Sequence, residues 1–523
     1  MAHVLDAGAR SQSAAAVYAV LSRLAEPVHV VRHAGGYWLS NDGSGPDGSP
    51  ARRLLTLGPL PPERLGSRDF LRAHGVRQCY QAGAMAGGIS SADLVISMAE
   101  RGLLASFGAA GLPADRLDGA LALLERRLPG RPYACNVIHS PSEPAMERET
   151  VDACLRHGVR CVEASAFLGL TPDIVRYRAR GLREARDGQV EIANRVIAKV
   201  SRREVAELFL RPAPPGLLDA LLREDLITAE QARLAAAVPL ADDITAESDS
   251  GGHTDGRPLT VLLGEIIALR DEIGASHAGR AARVGAAGGI GTPTAAAAAF
   301  TMGADYVVTG SINQACVESD QSAAAKAMLG AADMADCEMA PSADMFEIGA
   351  EVQVLRRGSM FAARARQLYE LYRRHDGLAD IPAADRAALE RNVFRAPLEE
   401  VWAETRRYFA ERDPAQLERA EGNERRRMAL VFRWYLGLSS RWATSGAADR
   451  VADYQIWCGP AMGACNTWLR GTYLEPVGAR RAPELAHHIM RGAAFHQRVA
   501  ALRFHGVTPP PRASRYRPLP TTG

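Results

Sequence analysis

From Arg77 to about residue 330 the chain alternates two patterns of apolar residues. Short, nearly continuous apolar runs occur at Gln78–Ala82, Leu103–Phe107, Tyr133–Ile138, Arg160–Ala164, Arg195–Val200, Asp243–Ala246, Arg283–Ala287 and Tyr306–Thr309. Runs of this kind, bounded by turn residues, predict strands buried on both faces. Between them, helical spacing appears over Ala92–Arg101, Arg116–Arg127, Arg148–His157, Pro172–Arg183, Arg202–Phe209, Pro258–Ile273 and Thr294–Met302. Eight buried strands alternating with helices predict an α/β fold, a closed (β/α)8 TIM barrel over residues 77–340.

The remaining segments read as attachments. Residues 1–76 form an N-terminal cap, with alternation at Pro27–Leu39 suggesting strands and an Asn41–Pro50 loop rich in Gly, Ser and Pro. An insertion at about 201–242, with helical segments Leu217–Arg223 and Thr228–Ala237, precedes the sixth strand. If it lies at the carboxyl ends of the strands, it shapes substrate access. Beyond about residue 340 the strand signal fades. Met360–His375, Leu398–Glu411 and Asn423–Leu436 predict a helical region over 341–505, and the Pro-rich tail 506–523 reads as disordered.

Composition narrows the function. A hydrophobic fraction of 47% with 23% charged residues suits a globular protein, and no apolar run is long enough for a membrane span. Lys+Arg of 62 against Asp+Glu of 60 leaves a formal charge of +2, which gives no electrostatic drive toward nucleic acid or anionic lipid. Inside that balance lies a skew: Lys occurs only at Lys199 and Lys326, all other basic residues being Arg. The eight Cys include no CxxC pair and no zinc-type spacing, so they read as small core residues and no metal site is expected. Met1–Arg10 lacks the pattern of a secretory leader, and a cytoplasmic protein is expected.

Candidate chemistry gathers at the predicted strand ends. The seventh strand runs into Gly285-Ala-Ala-Gly-Gly-Ile-Gly-Thr-Pro-Thr294, with Thr292 suited to cap the next helix and Pro293 to its first position. The eighth ends in Val307-Val-Thr-Gly-Ser311. Either loop alone could simply turn the chain; as a pair in barrel order they favour a phosphate site. Small residues in Gln81–Ser90 at the first strand end would let a flat ring approach, and Asn136 offers a polar group opposite. This is the layout of a flavin mononucleotide lying across a barrel mouth. Lys199, inside an apolar run, either snorkels to the surface or places a cation by the flavin pyrimidine edge. His253, behind Gly251-Gly252, is either structural or presented at the mouth as a catalytic or substrate-orienting group. Glu163 at the fourth strand end orients one of these or holds the loop.

The segments Gly285–Ser322, Ser250–Pro258, Ile197–Arg202, and Leu430–Trp442 with Asp453–Gly463, resemble the PfaD family over about residues 70–505. These are trans-acting enoyl reductases of polyunsaturated fatty acid synthases and of polyketide synthases without integral acyltransferases. More distantly, the barrel resembles the enoyl reductase FabK and the nitronate monooxygenases. The resemblance implies FMN, NADPH as donor, and an enoyl thioester on an acyl carrier protein as acceptor. It places His253 where FabK-like enzymes have their active-site His, with Lys199 as the second catalytic candidate. Gly83, Ala84, Met85, Ala86, Asn136, Glu163, Lys199, Gly251, Gly252, Gly288, Gly289, Gly310 and Ser311 make up the cofactor-binding set. One departure stands out: Gly256 replaces the Asn of the family word His-Thr-Asp-Asn-Arg-Pro. Arg202-Arg203, Arg373-Arg374 and Arg425–Arg427 are candidate docking patches for an acidic carrier, and a homodimer is compatible with the sequence. A nitronate monooxygenase-like oxidoreductase and a flavin-less synthase scaffold are the alternative readings.

Overall fold

All eight predicted strands form one closed parallel barrel. The computed structural model describes residues 3–4, 12–140, 144–274 and 281–520. In chain order the barrel strands are β1 (Tyr80–Ala82), β2 (Leu104–Phe107), β3 (Ala134–Ile138), β4 (Cys161–Ser165), β5 (Arg195–Val200), β6 (Asp243–Glu247), β7 (Arg283–Ala287) and β8 (Tyr306–Thr309). Each pairs with its sequence neighbour, and β8 closes on β1 with Val307 opposite Tyr80 and Thr309 opposite Ala82. A barrel has no free edge, and the surrounding helices cover its outer face, which is why these strands read as continuous apolar runs.

The barrel floor is plugged from the cap. Helix Arg68–His74 ends at Gly75 in the left-handed conformation and turns Phe70 onto Tyr306, with ring centroids 4.3 Å apart. Beside this stack, Asp243 is fully buried between His74 (Nε2 to Oδ2, 2.9 Å) and Arg283 (Nε to Oδ1, 2.6 Å). The remaining cap residues form helix Ala14–Ser22 and a three-stranded antiparallel sheet, Gly36–Ser40, Val28–His33 and Arg52–Leu57.

Three expectations need correction. The insertion does not reach the mouth. Its helices Pro215–Arg223 and Ala229–Ala235 follow helix Arg203–Leu210 and lead into the amino end of β6, where Ala241 N–H donates to Phe209 O and Arg178 pairs with Asp242. It therefore does not govern access from the mouth. Strands also continue past residue 340: Cys337–Pro341 and Glu351–Leu355 form an antiparallel pair, to which Gly252–His253 adds. Finally, the tail is ordered through residue 520. Val507 and Thr508 pair with His3 and Val4, Ala513 and Tyr516 are buried, and Tyr516 Oη lies 2.8 Å from His488 Nδ1. Residues 521–523 of that tail, and most of Met1–Arg10, lie outside the described residues.

Helices Phe361–Arg374, Leu398–Arg412 and Glu424–Ser445 share a second apolar core around Phe346, Phe361 and Phe432. The chain then returns to the barrel through helix Ala482–Phe504, which packs on helix Pro293–Thr301. Its Arg498, almost wholly buried, donates to the carbonyls of Leu21, Arg23, Leu24 and Glu26, at and beyond the end of the first helix; Arg23 O and Leu24 O also accept from Glu26 and Leu60 N–H. Arg498→Met should cost roughly 2–3 kcal/mol, since it removes four guanidinium hydrogen bonds and strands the buried Leu21 carbonyl. Faster limited proteolysis within residues 12–60 would register the loss; unchanged protection would contradict it. Among the described residues no helix is long and apolar enough to cross a membrane.

Candidate functional site

At the carboxyl end of the barrel one carboxylate organises the interior. Glu163, on β4, is 1% exposed; its Oε2 accepts from Gln81 Nε2 and Ser106 Oγ, both at 2.7 Å. Its carboxylate also receives the backbone N–H of Ala84 at 3.3 Å, which anchors the loop after β1. Lys199 on β5 stands between Glu163 (3.8 Å) and Glu247 of β6 (3.2 Å). Burial works against its ammonium, but the two carboxylates outweigh that and raise its pKa, so the site holds a fixed cation. Lys199 therefore does not snorkel away. Glu163 thus contacts both the lysine and the loop after β1.

Asn136 is buried and spends its Nδ2 on Glu163 O and Ser165 Oγ, both at 3.0 Å, so it braces β3 against β4. Gly83 crosses β8 closely: a Cβ there would lie 2.9 Å from Val308 Cγ1. Met85 N–H donates to Ser90 Oγ, which folds Gly83–Ala86 into a tight loop.

The two phosphate-type loops lie side by side after β7 and β8. Gly288 has φ +80°, and a Cβ on it would sit 2.4 Å from Ser248 Oγ, so only glycine fits against the β6 loop. Thr292 caps helix Pro293–Thr301 by accepting from Ala295 N–H, with Pro293 at the first position, as the sequence predicts. By contrast, a Cβ on Gly289 or Gly310 would meet no atom within 4 Å. Open space therefore stands over both loops, where the phosphate of a nucleotide would lie. The buried Gln81 Oε1, which has no hydrogen-bond partner among the described residues, marks an unsatisfied acceptor in the barrel interior. These features fit a flavin nucleotide. Ser311 Oγ accepts from Gly459 N–H, and Gly251 passes so close to Cys458 that a Cβ would lie 2.9 Å from its nitrogen. The C-terminal segment around Trp457–Gly459 thus packs beside these loops, against Ser311 and Gly251.

His253 sits on the short strand Gly252–His253, whose start depends on Gly252 at φ +87°. His253 pairs with Val352, and its Nε2 lies 3.1 Å from Asp344 and 3.3 Å from Ser342 Oγ. Burial disfavours the imidazolium, yet Asp344 more than compensates and raises the His253 pKa. Burial likewise opposes the Asp344 carboxylate, but the ring, Ser342 and its own backbone N–H hold its pKa below the ordinary range. Sequence reasoning missed Asp344 and Ser342, which lie about ninety positions from the histidine in the turn of an unpredicted hairpin. The alternating Cys337, Met339, Val352 and Val354 were the signal that could have revealed that hairpin. Also missed was His139, just after β3, whose Nδ1 lies 2.9 Å from the buried Glu147 and whose ring stacks on Phe167.

The proposed basic patches are largely neutralised. Arg202 pairs with Asp255, Arg203 with Glu272, Arg374 with Glu370, Arg425 with Asp376, Arg426 with Glu347 and Arg427 with Glu399. Pairing of this kind shortens the reach of their fields.

Comparison with known proteins agrees with the barrel fold. The family model described as nitronate monooxygenase matches residues 73–357, and the inserted helical domain of [acyl-carrier-protein] S-malonyltransferase matches 375–454. A polyunsaturated fatty acid synthase polypeptide of Thraustochytrium sp. is 48% identical over 84% of this chain and 30% of its own length. The polyketide biosynthesis protein PksE of Bacillus subtilis is 42% identical over 84% of this chain and 58% of its own. The chain thus spans less than two thirds of these relatives. Among solved structures, the enoyl reductase domain of MlnA from the macrolactin cluster of Bacillus amyloliquefaciens superposes with a TM-score of 0.80 at 37% identity, over 85% of this chain and 99% of that one. The chain belongs to the nitronate monooxygenase family and, within it, to the PfaD-like group of enoyl reductase barrels.

Proposed function

We propose that the protein is an FMN-dependent enoyl reductase that takes electrons from NADPH and saturates the α,β-double bond of a thioester carried on an acyl carrier protein. The observation that carries this reading is the meeting of a fixed cation, Lys199, an imidazole, His253, and two open Gly loops at one barrel mouth, in a chain similar over its barrel and helical region to a solved enoyl reductase domain. The loops at Gly288-Gly289 and Gly310-Ser311 would hold the FMN phosphate, Gly83–Ala86 would lie along the ring, and Lys199 would face its pyrimidine edge. Gly251 and Gly252 would let the backbone pass close, while Glu163 and Asn136 would hold the loops. When bound, the cofactor supplies hydride transfer.

The residues of this chain have three tasks. Lys199 stabilises negative charge beside the ring, and a low-dielectric setting strengthens that effect. Glu163 and Glu247 keep the ammonium in place. His253 orients the thioester carbonyl and supplies the proton that Cα requires.

Purified protein loaded with FMN should consume NADPH only when an enoyl thioester is present and should yield the saturated thioester. NADPH consumption that ignores the thioester would count against the reading. Because the family model that matches residues 73–357 is that of nitronate monooxygenases, oxidation of a nitroalkane is the second reading. Oxygen uptake driven by a nitroalkane would favour it, and a protein that cannot be loaded with FMN would indicate a scaffold.

The open space above Gly310 gives a cleaner test of the cofactor site. Gly310→Ala adds a methyl group where this chain has no atom within 4 Å, so thermal stability of the unloaded protein should hold. FMN affinity should fall by about tenfold, equivalent to ~1.4 kcal/mol. Equal affinity in both proteins would remove the loop from the phosphate site.

A further inference from the structure

Two of the His–Asp pairs among the described residues lie in very different settings. His74–Asp243 lies in the barrel floor with side chains 2% and 0% exposed, and Arg283 shares the carboxylate. His253–Asp344 lies at the mouth with side chains 32% and 30% exposed. The first is sealed, as structural ion pairs are. The second is open to solvent and substrate while still holding its geometry.

We propose that Asp344 is the positioning residue of His253: it grips the ring through Nε2 and leaves Nδ1 as the nitrogen that meets the substrate. Nδ1 makes no hydrogen bond among the described residues. One hairpin fixes both parts of the histidine. Glu351–Leu355 pairs with its backbone, and the turn between this strand and Cys337–Pro341 supplies Asp344 to its ring. The turn is itself stapled to the helical region: Arg433 Nε donates to Ala343 O at 2.8 Å, and Arg426 and Arg433 both reach Glu347. The helical region thereby serves the chemistry by presenting Asp344, which gives the attachment a task inside the active site.

The groups facing the ring are Asp344 and Ser342 from the turn, Glu247 from the end of β6 and Lys199 from the end of β5. The carboxylates favour the imidazolium and Lys199 opposes it. Resting on the enoyl reductase reading, the step balances as follows. Saturation of one double bond needs one hydride, from the cofactor, and one proton. The N–H bond at Nδ1 breaks and a C–H bond forms at Cα. The ring is left neutral with its remaining proton on Nε2, shared with Asp344, and solvent restores the lost proton.

The test is NMR titration of His253 in the resting full-length protein, its signal assigned among the thirteen histidines by loss in His253→Gln. In Asp344→Asn the pKa of His253 should fall by about one unit or more, and the neutral ring should lose its preference for the Nε2–H tautomer. The pH at which single-turnover reduction declines should fall by the same amount. Asp344→Glu, which restores charge, should recover most of the pKa shift and keeps the proposal testable if Asp344→Asn does not fold. An unchanged His253 titration in Asp344→Asn, or in Asp344→Glu the loss of both pKa elevation and tautomer preference, would overturn the proposal. Failure of wild-type protein to reduce any thioester, with the NMR shifts present, would count against the enoyl reductase reading alone.

Discussion

His253→Ala is expected to slow single-turnover reduction of a crotonyl-type thioester by about 10²–10⁴-fold while FMN content stays near one per chain. That range is the usual contribution of one well-placed proton donor. Two imidazoles stand near the mouth, and they are not equivalent. His139 is committed to the buried Glu147 and stacked on Phe167, so its loss should mainly affect the β3 loop. His253 has one nitrogen on Asp344 and the other without a hydrogen bond among the described residues. The comparison is made on rapidly mixed, pre-reduced protein, so that cofactor reduction by NADPH does not mask the step. A rate in His253→Ala within about threefold of wild type would remove His253 from the chemistry. Retention of cofactor separates this outcome from collapse of the site, because His253 pairs with the outer hairpin and does not brace the phosphate loops.

Asp243→Ala should destabilise the protein by about 3–5 kcal/mol, the cost of leaving the Arg283 guanidinium and a buried imidazole without their partner. Asp243 is 0% exposed, and its removal strands both the imidazole of His74 and the guanidinium of Arg283 in the barrel floor. The same carboxylate makes a prediction in acid. Burial opposes its charge, but His74 and Arg283 bring its pKa down to about 2. A folded-state pKa below the unfolded value of about 3.9 means that the stabilisation is complete above pH ~4 and is lost as pH falls toward 2. Wild-type unfolding should therefore steepen below pH ~4, whereas Asp243→Asn, already weakened at neutral pH, should show a flatter acid limb. Parallel acid limbs in the two proteins would show that another carboxylate dominates. Neither substitution lies at the mouth, so the activity of the folded fraction should be retained.

Elements whose burial pattern is local were legible in the sequence. All eight barrel strands are short runs buried on both faces, and the Thr292–Pro293 helix start follows from residues adjacent in sequence. Lys199 stood out because a charge inside an apolar run demands a partner, and Glu163 because it ends a strand at the carboxyl face. What escaped depends on contacts distant in sequence. Asp344 acts on a residue about ninety positions earlier, and its strands are short and only half buried, so their alternation is faint. The ordered tail is held by His488 and by His3–Val4, which no reading of a Pro-rich segment in isolation can anticipate. The insertion's side of the barrel is settled by where a helix ends. The Arg clusters looked basic because their Asp and Glu partners stand elsewhere in the sequence, as Arg202 with Asp255 and Arg427 with Glu399 show.

Electron transfer from a flavin to a carrier-bound double bond is the central claim, and one anaerobic experiment addresses it directly. FMN-loaded protein is bleached with a single equivalent of NADPH, and an enoyl thioester on an acyl carrier protein is then added. The oxidised flavin spectrum should return with formation of about one saturated thioester per flavin. Persistence of the bleached spectrum, followed by recovery only on admitting oxygen, would contradict the claim.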